Sequence, residues 1–239
     1  MSTLTLVRHG QASYMEADYD KLSTLGEEQA RKLGQYWARH RISPGRVIHG
    51  PAKRHIRTME IAGQIVQDAG LFWPDPISEP AFDEFDAFTV MRIMLPRMTA
   101  HNTGIRRLSE QFETLRHSPE AGRILQKLFE EVCREWCGGA FDNDEAETWA
   151  QFRRRIASAV DHVRQTAVPS THTVVFTSGG PIAATIGHSL GLNAVQTVEF
   201  VWLSRNCSYS QFLFSGDRFS LHAFNSVPHL DDLKLFTYR

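Results

Sequence analysis

Two rhythms of hydrophobic and polar residues alternate along this chain. Leu4, Leu6 and Val7 form a short apolar run that stops abruptly at Arg8-His9-Gly10, as a β-strand does when it feeds a loop. A polar loop follows to about Ser23. A helix is predicted from Thr24, where Thr24 and Glu27 have capping-box spacing and Ala30, Leu33 and Trp37 recur on one face. Pro44-Gly45 then break the chain before a short strand at Val47-Ile48. A second helix is predicted from about Lys53 to Ala69, with Ile56, Met59, Ala62 and Ile65 along one side. The middle is less regular, with Phe82, Phe85 and Phe88 interleaved with acidic residues. Between about Ile105 and Cys137 two helices are predicted, broken near Ser118-Pro119, with Pro119 in the first turn of the second and Gly138-Gly139 ending it. Trp149, Phe152, Ile156 and Val160 mark a long amphipathic helix. Thr173 to Phe176 reads as a strand, Pro181 to Leu190 as a helix, and Tyr209–Phe214 and Phe219–Phe224 as two further strands.

Strands alternating with helices predict an α/β fold, a three-layer sandwich whose mostly parallel central sheet is flanked by helices. No repeat, low-complexity tract or Pro/Gly/Ser-rich linker divides the chain, so residues 1–239 are expected to form one domain. The stretch from about 91 to 139 is expected to be a helical insertion, or cap, near the active-site edge of that sheet.

Composition narrows the classes of function. Hydrophobic residues make up 42% and charged residues 22%, enough for a sizeable core, and the net charge is -1. Bulk electrostatics therefore indicate neither a nucleic-acid nor a membrane partner, and any anion must be met by local arginines. The N-terminus enters the first strand directly, with no signal-peptide pattern, and no run approaches the ~20 apolar residues that span a bilayer. Cys133, Cys137 and Cys207 are sparse, and no second pair completes a metal site with the first two. They are expected to be buried or semi-exposed thiols in a soluble, reduced, cytoplasmic protein. The oligomeric state is left open, because an amphipathic face packs equally well on its own core or on a partner.

Chemistry concentrates where strands end. Ligands of α/β sheets collect at the carboxyl ends of the strands. There His9 is a candidate nucleophile, Arg8 an anion clamp, and Gly10 a space through which a bound group approaches the backbone. Phe176-Thr177-Ser178-Gly179-Gly180-Pro181 leaves another strand and enters a helix, with Pro181 suited to the first helical position. Free amides there favour phosphate; the alternative is a tight connecting turn, and the matching site at His9 favours the anion reading. Arg54 and Arg57 begin the helix after the second strand, where positive charge opposes the helix dipole. Arg57 is read as a solvated surface residue. In Phe82-Asp83-Glu84-Phe85-Asp86, a carboxylate packed against aromatic rings would have a raised pKa and serve as a general acid. The other arrangement has all three acids facing water. Glu84 has the longest reach, but spacing alone does not decide which carboxylate is desolvated.

These segments resemble the histidine phosphatase superfamily, the phosphoglycerate mutase-like proteins, over most of the chain. Arg8-His9-Gly10 after a hydrophobic strand looks like the signature of that family. Leu22 to Ala30 is similar to its first-helix segment, and Gly50-Pro51-Ala52-Lys53-Arg54-His55-Ile56-Arg57-Thr58 to its serine-proline-leucine…arginine…threonine segment. Phe82 to Ala87 resembles the bisphosphatase branch around its acid, Glu147-Thr148-Trp149 with Arg155 a later helix, and Asn225 to Leu230 a C-terminal segment. The resemblance implies a phosphohistidine on His9, phosphate contacts from Arg8, Arg54, Ser178, Gly179 and Ser13, and Glu84 as the acid. It implies no metal and no other cofactor, and a small phosphorylated substrate.

The chain departs from the family pattern twice. Ser178-Gly179 stands where a second histidine usually precedes a glycine, so a neutral hydroxyl replaces an imidazole that contacts the phosphoryl group. Losing one charge-assisted hydrogen bond costs about 1.5–3 kcal/mol, a weakening of catalysis rather than its loss. His49, His55, His172 or His188 is an alternative spatial substitute for that imidazole, His188 the poorest, but each is expected instead to be a surface or structural histidine. The loop after His9 reads Gln11-Ala12-Ser13-Tyr14-Met15, which lacks the threonine and asparagine of many members. A substrate pocket like that of the glycolytic mutases is not expected. A metal-independent phosphatase acting through His9 is therefore the leading reading. A phosphoglycerate-type mutase and a weakly active phosphate-binding or scaffold protein are the alternatives. His101, Arg106 and Arg107 are expected to be solvated.

Overall fold

In a computed structural model that describes residues 1–13, 20–139, 142 and 145–238, the first strand, β1 (Ser2–Arg8), lies inside a mixed sheet of six strands. The others are β2 (Arg46–His49), β3 (Ile77–Ser78), β4 (His172–Thr177), β5 (Tyr209–Ser215) and β6 (Arg218–Ser226), in spatial order β3-β2-β4-β1-β5-β6. β1, β2, β3 and β4 are parallel to their neighbours in that group, while β5 runs antiparallel to both β1 and β6. Among the described residues eight α-helices surround the sheet: α1 (Thr24–Arg39), α2 (Lys53–Asp68), α3 (Ala87–His101), α4 (Thr103–Leu115), α5 (Ala121–Cys137), α6 (Trp149–Thr166), α7 (Gly179–Leu190) and α8 (Ala194–Leu203).

Period-two alternation sorts the strand side chains between two cores. Val7, Val47, Val174 and Phe176 face α1 and α2, packing on Leu33, Trp37, Met59 and Val66. Leu4, Leu6, Ile48 and Val175 face the other way, onto Phe82, Met94, Trp136, Phe152 and Ile182 from the remaining helices. The expected α/β sandwich is thus formed, because the parallel strands β1, β2 and β4 carry buried apolar residues on both sides and need a helical layer on each.

Local details differ from the sequence pattern. The N-cap of α1 is Ser23, whose hydroxyl accepts from Gly26 N at 3.1 Å; Glu27 is drawn instead to Arg57 and Arg31. Pro119 precedes α5 in a turn rather than entering its first turn. α7 begins at Gly179, so Pro181 is its third residue. Helix α8 and the two-residue β3 are absent from the sequence reading, and α3 enters it only as part of the helical insertion expected from about 91. α3 carries Pro96 inside it, which reads locally as a breaker, and its burial of Val90, Ile93, Met94 and Met98 overrides that signal. Phe88 is 76% exposed, unlike Phe82 and Phe85, so the aromatic triplet is only two-thirds core. All three cysteines are buried thiols. Among the described residues no helix is long and apolar enough to cross a membrane.

Candidate active site

The register of β1 against β4 pairs Arg8 with Thr177, so the two strands release His9 and Ser178 side by side at the carboxyl edge of the sheet. The His9 backbone is fixed from both sides. Its amide donates to Thr177 O at 2.9 Å, and its carbonyl accepts from Cys207 N at 3.0 Å and Asn206 Nδ2 at 3.4 Å. Its ring is buried, with Nδ1 2.6 Å from Gly10 O. A carbonyl only accepts, so Nδ1 carries the hydrogen. Burial, reinforced by the positive charges of Arg54 and Arg8, holds the imidazole pKa well below its usual value. The neutral ring is therefore the Nδ1–H tautomer, and its lone pair sits on Nε2.

Gly10 donates to Thr58 Oγ1 at 3.0 Å, and the same hydroxyl donates to Arg54 O at 2.7 Å, coupling the His9 loop to the first turn of α2. The reason for glycine at position 10 differs from the expectation. A Cβ there would lie 2.4 Å from Gly26 O, so the space is filled by the start of α1 and not by a ligand.

Arg54 reaches two partners. Nη1 lies 2.5 Å from Asp20 Oδ1, and Nη2 donates to Ser178 Oγ at 3.4 Å. Asp20 Oδ2 also accepts from Lys53 N at 2.9 Å, which explains how α2 tolerates basic residues in its first turn: a carboxylate from another loop faces the helix dipole. Arg57 points outward to Glu27, as expected of a surface residue. Arg8 Nη1 donates to Ser204 O beyond the end of α8, placing its guanidinium beside the turn at Gly179.

Glu84 is the carboxylate that the structure desolvates. Oε2 accepts from Gly180 N at 3.0 Å and Oε1 from Phe85 N at 3.1 Å. Burial raises its pKa; the Gly180 amide and the charge of Arg54 oppose that rise without cancelling it. Asp83 instead caps the Glu84 amide, and the exposed Asp86 caps α3. The helix start at Ser178-Gly179-Gly180, expected as an open anion cradle, thus has the Gly180 amide occupied by a side chain. A Cβ at Gly180 would lie 1.9 Å from Glu84 Oε1, so a larger residue there would displace that carboxylate.

The Glu84 loop is clamped from below. Arg155 makes two 2.8 Å bonds to Glu147 and donates to Ala81 O at 2.8 Å and Asp83 O at 3.0 Å, while Thr177 Oγ1 donates to Phe82 O at 2.6 Å. Replacing Arg155 with Ala strips two carbonyls of their donor and loosens the loop. Turnover of a phosphomonoester is expected to fall about tenfold, at an energetic cost of about 1.4 kcal/mol. The drop should appear in kcat more than in KM; an unchanged kcat would show that the loop holds Glu84 without the clamp.

Ser13 is buried, with its amide donating to Lys21 O at 2.8 Å and its hydroxyl without a hydrogen-bond partner among the described residues. Tyr14 and Met15 lie outside the described residues. His101, Arg106 and Arg107 are exposed at the junction of α3 and α4, as expected. Sequence reasoning missed Asp20 and Thr58. Thr58 had a signal, one helical turn after Arg54 and on its face; Asp20 had none, because it belongs to a separate loop. Sequence reasoning placed His55 only among four histidines that could stand in for the missing imidazole, and favoured a structural role for each. The ring of His55 is fully buried 5.7 Å from that of His9, with Nε2 2.6 Å from Ser178 Oγ. His49, His172 and His188 have other partners: Gly50 O, Thr5 Oγ1 and Asp161.

Known proteins share this arrangement of elements. The structure of a mycobacterial glucosyl-3-phosphoglycerate phosphatase with inorganic phosphate superposes with a TM-score of 0.61 at 18% identity, covering 96% of this chain and 99% of that one. Phosphoserine phosphatase from Entamoeba histolytica gives 0.63 at 18% identity, covering 96% and 100%, and phosphoglycerate mutase from Bacillus anthracis 0.65 at 16%, covering 95% and 94%. At such identities the likeness is one of fold. In sequence, a 2,3-bisphosphoglycerate-dependent phosphoglycerate mutase of Thermobifida fusca (strain YX) is 41% identical over 80 residues, 30% of this chain and 31% of that protein. The alignment therefore spans less than a third of that relative. The family profile described as histidine phosphatase superfamily (branch 1) reaches much further, matching residues 4–93 and 104–227 and so both strand ends, Arg54 and Glu84. With a neutral histidine and a serine released side by side from β1 and β4 and that match running across both, this chain belongs to the histidine phosphatase superfamily.

Proposed function

We propose that this protein is a phosphatase that hydrolyses a small phosphomonoester through a phosphohistidine on His9. The observation that carries this reading is the tautomer of His9: Nδ1–H is committed to Gly10 O, which leaves the Nε2 lone pair beside two arginines. In the first half-reaction Nε2 attacks phosphorus, the P–O ester bond breaks, and protonated Glu84 gives its proton to the departing alkoxide. In the second, Glu84 takes a proton from water, the water oxygen attacks phosphorus, and the P–N bond breaks to release phosphate and neutral His9. Arg8 and Arg54 hold the phosphoryl oxygens throughout, Arg54 exchanging Asp20 for substrate. Ser178 and the Gly179 turn complete the phosphate site, with Ser13 at its edge. The chain works as one domain, with residues 91–139 as a cap that selects the leaving group, in the reduced cytoplasm that its sparse thiols suit.

A panel of phosphomonoesters, with an aryl phosphate as generic substrate and chelator present, tests this reading. Phosphate release, an acid-labile phosphoprotein and incorporation of oxygen from labelled water are expected. Dominant transfer to a hydroxy-acid acceptor would establish the mutase alternative. Neither turnover nor phosphoprotein across the panel would establish the binding-protein alternative.

A further inference from the structure

We infer that His55 and Ser178 act as one unit, the buried imidazole of α2 positioning the Ser178 hydroxyl as a hydrogen-bond donor to the phosphoryl group on His9. The inference rests on the phosphohistidine reading above, and it turns the missing histidine at position 178 into an imidazole supplied one step further back.

The geometry is specific. His55 Nε2 and Ser178 Oγ are 2.6 Å apart, a short contact, and both residues are almost wholly inaccessible to solvent. Since His55 Nε2 is engaged by Ser178 Oγ, the hydrogen bonding of this imidazole reaches the phosphoryl site through that serine. That serine follows β4 directly, next to His9 on β1, and the two imidazoles stand 5.7 Å apart.

Proton placement follows from the partners. The other ring nitrogen, Nδ1, is buried close to Gly50 but outside hydrogen-bond geometry to any partner among the described residues. The nearby Gly50 carbonyl is engaged by His49 Nδ1 at 2.9 Å. A neutral imidazole carries one N–H, and placing it on Nδ1 would bury an unsatisfied donor, which is costly. The hydrogen is therefore assigned to Nε2, donated to Ser178 Oγ. Arg54 Nη2 donates to the same oxygen from 3.4 Å. With two donors directed at Oγ, the hydroxyl hydrogen of Ser178 is turned away from both, toward the space beside His9. Two donors also polarise the hydroxyl and strengthen the bond it gives to an anion. A lone serine would be free to rotate; this one is pre-aimed at the position where phosphoryl charge develops. His55 keeps its proton through the cycle, so it is a positioning residue and not an acid or base.

A double-mutant cycle reads this coupling directly. His55→Ala and Ser178→Ala are each expected to lower kcat for an aryl phosphate about tenfold to a hundredfold. The double variant should be no slower than the slower single one, because each change breaks the same unit. Losses that multiply would overturn the inference. His55→Gln keeps an N–H near the Nε2 position and His55→Leu fills the space without one, so Gln is expected to exceed Leu in kcat by at least about tenfold at equal thermal stability. Equal activity of those two would assign His55 to packing alone, which also overturns it. Should His55→Ala fail to fold, the Gln/Leu comparison carries the test. The phosphoprotein assay separates the two readings. Loss of the His9 reading removes phosphoprotein from the wild type, whereas failure of the unit leaves wild-type phosphoprotein intact with multiplicative losses.

Discussion

The His9→Ala variant is expected to lose phosphate release by about 10⁴-fold or more and to form no phosphoprotein, while melting near the wild-type temperature. The size follows from the role: among the described residues no other side chain at the edge of β1 offers a neutral lone pair aimed at the phosphate site. His55 is fully buried and its Nε2 faces Ser178. Stability should change little, because the His9 ring makes its hydrogen bond to its neighbour Gly10, while the long-range bonds use the His9 backbone, which alanine retains. Quench-flow with labelled substrate and a melting curve measure both. Wild-type turnover in this variant would remove the phosphohistidine mechanism.

Glu84→Gln is expected to lower kcat by about 10²–10⁴-fold, the usual contribution of a positioned acid–base group. An aryl phosphate should separate its two tasks. Its leaving group departs with little help, so the phosphoprotein still forms, but no base activates water to remove it. Phosphoprotein is therefore expected to accumulate in this variant. The pH profile carries the sign. His9 must be neutral, so kcat/KM falls as pH drops through the histidine's pKa, which burial and the arginines depress well below 6.5. Glu84 must be protonated to serve the leaving group, so kcat/KM falls again as pH rises through its elevated pKa. The wild-type optimum is expected on the acid side of neutrality, and Glu84→Gln should flatten the alkaline limb for a poor leaving group. A wild-type profile flat from neutral to alkaline pH, or an unchanged alkaline limb in the variant, would take the acid role from Glu84.

Much of this site was legible before any fold was known. The strand end at His9 and the strand-to-helix turn at Ser178 are local features, and local chemistry writes them into short segments; the arginine of α2 was legible only through the family resemblance. The choice among Asp83, Glu84 and Asp86 was not local. It depends on α7 presenting the Gly180 amide to one carboxylate while the other two cap neighbouring backbone. Helix α8, and α3 as a helix of its own, were illegible for the same kind of reason, since tertiary burial outweighs a proline or a nearly uniform apolar run.

The sequence by itself determined the α/β class and singled out Arg8 and His9 as candidates, because these rest on periodicity or on a strand end a few residues long, while Arg54 became a candidate through the family resemblance. Only the tertiary structure decided how they are used. It gave the room at Gly10 to the backbone of α1, the free amide of α7 to Glu84, the resting partner of Arg54 to Asp20, and an imidazole from α2 to Ser178. Partners 123 positions apart, as His55 and Ser178 are, meet only when parallel strands and their crossover helices bring their ends to one edge.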